Sequence, residues 1–285
     1  MKNTLPEHWL AAQPAALRID CQRLLMERFG WTLTDWVTRR RHPLTGRQLS
    51  LIEQDAARLA AGEPLAYLLG TAAFRELTLA VNKTVLIPRP ETEELIDHVL
   101  GRCQRRLAAA PEAPLRIVEA GTGSGAIILA LAADLRSNGL LNCTELLATE
   151  LSGAALTVAR GNGAMLDLPV RWVQGDWLKG LAGPFDIIIS NPPYLAADDP
   201  HLPTLTQEPR AALVAGPSGL EDLAQLIDQG ATLLAPGGEL WLEHGNQQRD
   251  AVRELFELHG FTTIAGYIDS YGNDRFSCGR RPGAA

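Results

Sequence analysis

Short apolar runs alternate with longer stretches of helical spacing from residue 114 to the end of the sequence. This alternation is the strongest constraint on the fold, because strands separated by helices return side by side in a mainly parallel α/β sheet covered on both faces. The strands are predicted at 115–120, 145–150, 170–174, 185–190, 239–243, 262–268 and 275–278, and the helices at 125–135, 154–162, 219–234 and 247–259. The last two of these seven strands are close in sequence, which predicts an antiparallel final pair.

The first part of the chain has a different pattern and predicts a small helical domain over residues 1–72. Apolar residues recur at helical spacing between Trp9 and Phe29, and Gly30 is a natural end for that helix. Further short helices are predicted at 33–38, 49–59 and 64–69.

A linker and a larger domain are predicted to follow. Two extended runs, 74–81 and 84–87, flank Asn82 and Lys83, which predicts a β-hairpin linker over 73–90 that turns at this pair. The remaining residues, 91–285, form the larger domain, whose first helix begins near acidic Glu91. Acidic residues suit the positive end of a helix dipole.

Composition narrows the possible function. Hydrophobic residues make up 46% of the chain and the formal net charge is −7, which favours a globular protein and disfavours free nucleic acid as a partner. The four cysteines are scattered, so neither a zinc site nor a disulfide framework is expected, and no metal is predicted. Residues 1–10 lack the apolar core of a signal peptide, and no run has the ~18 apolar residues of a membrane span. A soluble, cytoplasmic location is therefore expected.

A glycine-rich loop joins the first strand of the larger domain to its first crossover helix. Glycine lets the backbone turn tightly and lets a ligand approach closely. Gly121, Gly123 and Ala126 also satisfy the dinucleotide pattern G-x-G-x-x-G/A, so the loop alone does not choose between NAD and S-adenosylmethionine. The predicted cofactor contacts in this loop are Gly121, Thr122, Gly123, Ser124 and Gly125.

Acidic and aromatic residues at the neighbouring strand ends complete the predicted cofactor site. Glu119 precedes the loop, where a carboxylate would repel a pyrophosphate but attract the cationic amino end of S-adenosylmethionine. Glu150 ends the second strand and can accept hydrogen bonds from ribose hydroxyls. Asp176 can accept a hydrogen bond from the adenine amino group, and Trp177 can pack on the ring.

The tetrapeptide Asn191-Pro192-Pro193-Tyr194 follows the fourth strand, where it should face the same crevice as the glycine loop. A planar NH2 group is a poor nucleophile, because its lone pair is delocalised. The Asn191 side-chain oxygen and the Pro192 carbonyl can accept hydrogen bonds from its two N–H groups. Pro193 disfavours helical geometry at Pro192, and Tyr194 can stack on the planar group. These four residues are the predicted catalytic set, and Asn191 is also expected to lie against the cofactor.

These residues leave several functions open. An adenine-N6 methyltransferase for DNA or RNA uses the same chemistry, but it needs a basic groove, and the basic clusters here are only 39–42 and 102–106. A non-catalytic adenosyl-binding module and a nicotinamide oxidoreductase are the other two alternatives. The intact Asn191 and glycine loop argue against loss of catalysis.

The combined motifs resemble those of the HemK-type protein-(glutamine-N5) methyltransferases, over nearly the whole chain. The resemblance rests on four segments, 62–67 (Gly-Glu-Pro-Leu-Ala-Tyr), 86–93 (Leu-Ile-Pro-Arg-Pro-Glu-Thr-Glu), 191–194 and 242–245 (Leu-Glu-His-Gly). Pro-Arg-Pro and Glu-His-Gly favour the bacterial release factor branch over the sister branch that modifies a ribosomal protein. Glu119 and Glu150 depart from the family, whose members commonly have aspartate there.

The resemblance implies a class I S-adenosylmethionine-dependent methyltransferase fold, Rossmann-like with a seven-stranded sheet, preceded by a helical domain and a hairpin. It implies that S-adenosylmethionine is the cofactor, and that the acceptor is the glutamine of the Gly-Gly-Gln motif in class I peptide-chain release factors. It also implies that 121–125, Glu150 and Trp177 contact the cofactor and that 191–194 hold the glutamine amide. Because the catalytic motif recognises only an NH2 group, the helical domain is expected to dock the release factor.

Overall fold

The structure is a computed structural model that describes residues 4–110 and 113–283. The chain divides into two compact units, Met1–Ala72 and Ala73–Ala285.

The first unit is helical, as the sequence predicts. Its helices are α1 (Pro6–Ala11), α2 (Arg18–Phe29), α3 (Leu33–Arg39), α4 (Gly46–Ala60) and α5 (Leu65–Leu69). Helix α2 ends at Gly30, which takes the left-handed φ of 61° that glycine adopts without strain. Thr32 and Thr45 cap α3 and α4 with their side chains, each in a capping box. Trp9, Leu25 and Ile52 belong to the buried core that these helices share.

The β-hairpin lies earlier in the chain than the sequence predicts. Strands β1 (Thr71–Phe74) and β2 (Leu77–Ala80) pair with each other, and the chain reverses at Arg75 and Glu76. The turn predicted at Asn82 and Lys83 is therefore wrong, and the described residues between 81 and 114 contain no strand.

Tertiary contacts explain where the chain turns. Arg75 adopts a φ of 49°, and its backbone N–H donates to Glu93 Oε1 at 2.9 Å. Its guanidinium pairs with Asp97 and Asp134 at 2.8 and 3.0 Å. Asn82 instead forms a local turn, in which its Oδ1 accepts from the Thr84 N–H at 2.9 Å.

The second unit contains a seven-stranded, mostly parallel sheet, which confirms the predicted α/β class. Its strands are β3 (Leu115–Ala120), β4 (Thr144–Glu150), β5 (Val170–Gln174), β6 (Phe185–Ser190), β9 (Leu234–Glu243), β10 (Thr262–Ile268) and β11 (Asp274–Arg280). They lie in the order β10-β11-β9-β6-β3-β4-β5. Strand β11 runs antiparallel to both of its neighbours. The short strands β7 (Leu195–Ala196) and β8 (Val214–Gly216) form a separate parallel pair.

Helices pack on both faces of this sheet. They are α6 (Thr92–Ala109), α7 (Ala126–Ser137), α8 (Gly153–Met165), α9 (Glu221–Leu233) and α10 (Arg249–Leu258). One buried core contains Val99, Ile128 and Ile187, and the other contains Ile188, Leu226 and Phe256. None of the helices in the described ranges combines the length and the apolar character that a membrane crossing requires.

The strand order places the functional segments side by side. The order reverses between β3 and β6, and the carboxyl ends of strands at such a switch point open a crevice for ligands. Glu119 of β3 pairs with Ile189 of β6, so the loop after β3 and the loop after β6 leave the sheet next to each other. Ser190 of β6 pairs with Leu242 of β9, which brings Glu243 to the same edge.

Candidate active site

A cavity of about 440 Å³ opens at this edge of the sheet. It is of the size that small-molecule sites usually have. Ten of the residues predicted for the site line it, namely Glu119, Gly121, Thr122, Gly123, Ser124, Glu150, Asp176, Trp177, Asn191 and Pro193. Gly125, Pro192 and Tyr194 are not part of its lining. The fold therefore brings both predicted groups, the cofactor residues and the catalytic loop, to one cavity.

Two acidic side chains hold the glycine loop in shape. Glu119 Oε2 accepts from the Thr122 hydroxyl at 2.5 Å and from the Ile128 N–H at 3.1 Å. Glu150 Oε2 accepts from the Gly123 N–H at 2.9 Å, and its Oε1 accepts from the Ser152 N–H at 2.9 Å. Both acids that were predicted to meet the cofactor therefore also shape the loop that lines the cavity.

Glu119 differs from Glu150 in its exposure. The Glu119 side chain is buried, and burial raises the pKa of its carboxyl group to about 8, against the opposing effect of its two hydrogen bonds. Burial therefore favours the protonated form of this carboxyl group, whereas the sequence predicts an ionised one. Glu150 remains partly exposed to the cavity.

Trp177 and Gly121 are in close contact. A Cβ atom on Gly121 would lie 2.6 Å from Trp177 Cζ3, and Gly121 has a φ of 73°. Only glycine fits this position, because both the backbone conformation and the indole ring exclude a side chain. Gly125 has a different function, since it adopts a φ of 85° as the residue that caps α7 and faces Leu129.

A buried asparagine joins the glycine loop to the hairpin. Asn162 of α8 is fully buried. Its Oδ1 accepts from the Ala80 N–H at 2.7 Å, and its Nδ2 donates to the carbonyls of Ala80 and Ser124 at 3.0 and 2.9 Å. All of its side-chain hydrogen-bonding groups are thus used to hold β2 and the loop at fixed positions.

Asn191 is held by a network that the sequence analysis missed. Its Nδ2 donates to Thr92 Oγ1 at 3.1 Å, and Thr92 Oγ1 donates to Glu243 Oε2 at 2.7 Å. Thr92 and Glu243 are both buried. Within the described part of the chain, no hydrogen bond is found to Asn191 Oδ1, which leaves that atom as the acceptor at the cavity wall.

Tyr194 contacts the same network and does not face the cavity. Its hydroxyl lies 3.5 Å from Glu243 Oε1, and its ring packs against the core that contains Leu226. Burial raises the pKa of the Tyr194 hydroxyl, with the Glu243 charge adding to the effect. Burial also raises the pKa of Glu243 to about 7, while its hydrogen bond from Thr92 and the charge of Arg275 act in the opposite direction.

An ion pair joins the segment before α6 to the loop between β7 and β8, at one wall of the cavity. Glu208 is buried, and its Oε1 lies 2.5 Å from Arg89 Nη2 while its Oε2 accepts from the Ile87 N–H at 3.1 Å. Arg89 and Pro209 both line the cavity. Arg89 belongs to the Pro-Arg-Pro segment that the sequence singles out, but spacing alone does not pair it with Glu208, 119 residues away.

Matches to family models follow the two units of the chain. Residues 10–70 match the model described as the PrmC N-terminal domain, and residues 106–211 match the methyltransferase small domain. The similarity to curated relatives extends over almost the whole chain. A release factor glutamine methyltransferase from Yersinia pestis is 38% identical over 96% of this chain and 98% of the relative. The protein of that name from Escherichia coli K12 is 37% identical over the same shares.

Solved structures share the fold at lower identity. A methyltransferase from Pyrococcus furiosus matches 81% of this chain and 100% of its own, with a TM-score of 0.52 at 21% identity. A 16S rRNA N2 G1207 methyltransferase from Thermus thermophilus, solved with AdoMet and guanosine, has a TM-score of 0.51 at 17% identity over 74% of this chain and 49% of its own. The fold and its cavity define a class I S-adenosylmethionine-dependent methyltransferase. At 37–38% identity over nearly its full length, the chain belongs to the release factor glutamine methyltransferase family.

Proposed function

We propose that this enzyme transfers a methyl group from S-adenosylmethionine to the side-chain amide nitrogen, N5, of the glutamine in the Gly-Gly-Gln motif of class I peptide-chain release factors. The curated relatives are named release factor glutamine methyltransferases, which supports glutamine of a release factor as the acceptor. The observation that carries the proposal is the orientation of Asn191, whose Nδ2 is taken by Thr92 and whose Oδ1 remains available to a substrate N–H.

S-adenosylmethionine is the methyl donor, and when bound it supplies a methyl group on a sulfonium centre. The cavity fits such a group, because the glycine loop leaves room for close approach beside Gly123, where an added Cβ would meet no atom within 4 Å, and because Glu150 offers carboxylate lone pairs. We propose Glu119, Gly121, Thr122, Gly123, Ser124, Glu150, Asp176 and Trp177 as the residues that hold it, with Gly125 shaping the loop as the helix cap.

Asn191 and the backbone after it perform the acceptor chemistry in this proposal. An amide nitrogen becomes more nucleophilic as it moves towards tetrahedral geometry, and acceptors aimed at both N–H bonds favour that movement. Asn191 Oδ1 is one acceptor, and the Pro192 carbonyl is proposed as the other. Preorganised dipoles of this kind lower the activation barrier. No strong base is needed before methyl transfer, because the amide nitrogen becomes acidic only after it is methylated. Tyr194 supports the loop from behind rather than stacking on the acceptor.

We further propose that the helical unit, residues 1–72, docks the release factor. Its surface presents large apolar side chains: Ile19 is 82% exposed, Leu33 70% and Val37 62%. Leu33 and Val37 are four residues apart on α3, and this spacing places them on one face. Adjacent exposed apolar side chains such as these offer a protein partner apolar surface to bury.

Labelled S-adenosylmethionine tests the reaction and the acceptor. The acceptors are a purified class I release factor, its Gln→Ala variant in Gly-Gly-Gln, intact large ribosomal subunits and unmethylated DNA. Label on the intact factor alone supports the proposal. Label on the Gln→Ala variant, on ribosomal protein or on DNA instead would contradict the proposed acceptor.

Surface variants test the docking proposal separately. Leu33→Asp with Val37→Asp should raise KM for the release factor roughly tenfold, because each replaces apolar contact area with a charge that must be desolvated. The kcat and the cofactor Kd should not change. Leu258→Asp is a matched control, since Leu258 is 79% exposed in the other unit. If the double variant on α3 and Leu258→Asp had equal KM values, this face of α3 would not dock the release factor.

A further inference from the structure

We propose that Thr92 is a positioning residue for methyl transfer, which holds the Asn191 side chain with its oxygen towards the acceptor nitrogen. The inference rests on the proposed function, because it gives Asn191 Oδ1 the task of accepting a substrate N–H. The relevant contacts are Asn191 Nδ2 to Thr92 Oγ1 at 3.1 Å and Thr92 Oγ1 to Glu243 Oε2 at 2.7 Å.

The two ends of an asparagine side chain have nearly the same shape but opposite hydrogen-bonding character. The oxygen only accepts and the NH2 group only donates, so the partners of the amide decide which way it faces. An amide turned the wrong way at Asn191 would present an NH2 group to the substrate NH2. Two donors repel each other, and the acceptor would not be held in line.

Glu243 sets the direction of the hydrogen bonds. An ionised carboxylate accepts and cannot donate, so the single hydroxyl hydrogen of Thr92 must point to Glu243. The Thr92 oxygen is then left with only lone pairs for Asn191, and it can be satisfied there only by Nδ2. The orientation of Asn191 therefore follows from the charge of Glu243, passed on through one hydroxyl group.

The fold keeps Thr92 available for this task. It is the first residue of α6, and its backbone N–H donates to the Arg89 carbonyl at 3.1 Å. Among the described residues, the N-terminus of α6, with Glu91 as its N-cap, has no side-chain cap hydrogen bond, so the Thr92 hydroxyl is not used as a helix cap. The residue is 3% exposed, and buried Leu95 and Ile96 in the next turn anchor the helix to the core. Few rotamers are open to a buried β-branched side chain, which fixes the hydroxyl between its two partners.

The ionisation of Glu243 depends on the groups around it. Burial raises its pKa to about 7, Glu91 adds to this effect, and Thr92, Arg275 and Tyr194 act in the opposite direction. The ionised form therefore increases as pH rises through about 7. If the ionised form orients Asn191, the kcat of the natural enzyme should rise across the same interval.

Two variants at position 92 separate positioning from packing. Thr92→Val keeps the shape and burial but removes the hydroxyl, and Thr92→Ser keeps the hydroxyl. We expect Thr92→Val to lower kcat roughly 30- to 100-fold with little change in cofactor Kd, somewhat less than the ~100- to 1000-fold cost of removing a group that itself contacts the reacting atoms, because Thr92 acts through Asn191. Thr92→Ser should retain kcat within roughly threefold. Equal losses in both variants, or full activity in Thr92→Val, would overturn the proposal.

The pH profile supplies a readout that a packing defect does not change. Between pH 6 and 8.5 the natural enzyme and Thr92→Ser should show kcat rising to a plateau, and Thr92→Val should show a low kcat with no such rise. A parallel profile for Thr92→Val would contradict the proposal. Asn191→Ala in the same assay tests the proposed function itself, because an active Asn191→Ala enzyme removes Asn191 from the chemistry whatever Thr92 does.

Discussion

The two ends of the cavity are built from different kinds of contact. At the cofactor end, the acidic side chains bind groups that are nearer to them in the chain. Glu119 meets Thr122 three residues away and Glu150 meets Ser152 two residues away, while the longest of their contacts joins Glu150 to Gly123, 27 residues away. At the acceptor end, the Thr92–Glu243 bond joins positions 151 residues apart. The Asn191–Thr92 bond joins positions 99 residues apart.

This difference determines how each end should respond to substitution. The cofactor end depends on backbone shape, so added bulk at a glycine should damage it more than a change of charge. The acceptor end depends on particular donor and acceptor atoms, so a substitution that conserves shape and removes one polar atom should be enough to impair it. Four predictions test this contrast.

The largest effect is expected at the acceptor end. Asn191→Ala should lower kcat/KM roughly 1000-fold, because it removes an acceptor aimed at the substrate nitrogen and leaves the Thr92 hydroxyl without its donor. The cofactor Kd, measured by calorimetry, should stay within about twofold, since the glycine loop makes no hydrogen bond to Asn191. A large loss of cofactor affinity would mean that the two ends are not separate.

Glycine substitutions test the cofactor end. Gly121→Ala should weaken cofactor binding roughly 10- to 100-fold, because its Cβ would lie 2.6 Å from Trp177 Cζ3 in addition to the cost of a φ of 73°. Gly139→Ala is the matched control, since it has a φ of 71° but no atom within 4 Å of the added Cβ and does not line the cavity. Its cofactor Kd should equal that of the natural enzyme. An unchanged Kd in Gly121→Ala would show that the indole ring moves without cost.

A smaller effect is expected at the ion pair that fixes the cavity wall. Glu208→Ala leaves the Ile87 N–H and the Arg89 guanidinium without their partner, which should cost about 2 kcal/mol of unfolding free energy. Because Arg89 lines the cavity, KM for the release factor should rise severalfold at constant kcat. Urea unfolding and initial rates check both parts. An unchanged KM would show that the Arg89–Glu208 ion pair contributes to stability and not to substrate binding.

The last effect is a change in the pH dependence of stability, with no effect expected on the chemistry. Glu119 has a folded pKa of about 8, above its ordinary 4.5, so its protonated form stabilises the fold at low pH and that contribution is lost as pH rises towards 8. Glu119→Gln cannot ionise and keeps an oxygen acceptor. Its melting temperature should therefore fall less between pH 6 and 8.5 than that of the natural enzyme. Glu53→Gln, at an exposed position of α4, should leave the curve unchanged.

The same contrast explains what the sequence could predict. All seven strands of the main sheet were found, four of them with the bounds that the structure has, because apolar periodicity directly reports burial on each face. The glycine loop was recognisable since its residues are consecutive. The hairpin turn was misplaced because Arg75 is held in its φ of 49° by Glu93, Asp97 and Asp134, which are distant in sequence and give no local turn signal.

The acceptor end could be predicted only in part for the same reason. Asn191 was identified from the chemistry of its tetrapeptide, but its orientation depends on Thr92 and Glu243, which meet only after β9 is placed beside β6. The charge state of Glu119 was missed because burial, and not residue type, raises its pKa. Tyr194 was expected at the cavity and instead lies behind it, near Glu243.

The contacts of Asn162 have a consequence for the local motions of the enzyme. One side chain binds the backbone of Ala80 in β2 and the carbonyl of Ser124 in the glycine loop. Neither segment can move away without leaving a fully buried amide unpaired, so the two should open in the same fluctuation and not independently. In a hydrogen–deuterium exchange experiment, the Ala80 amide should therefore gain protection when the cofactor is added, although β2 does not form part of the glycine loop.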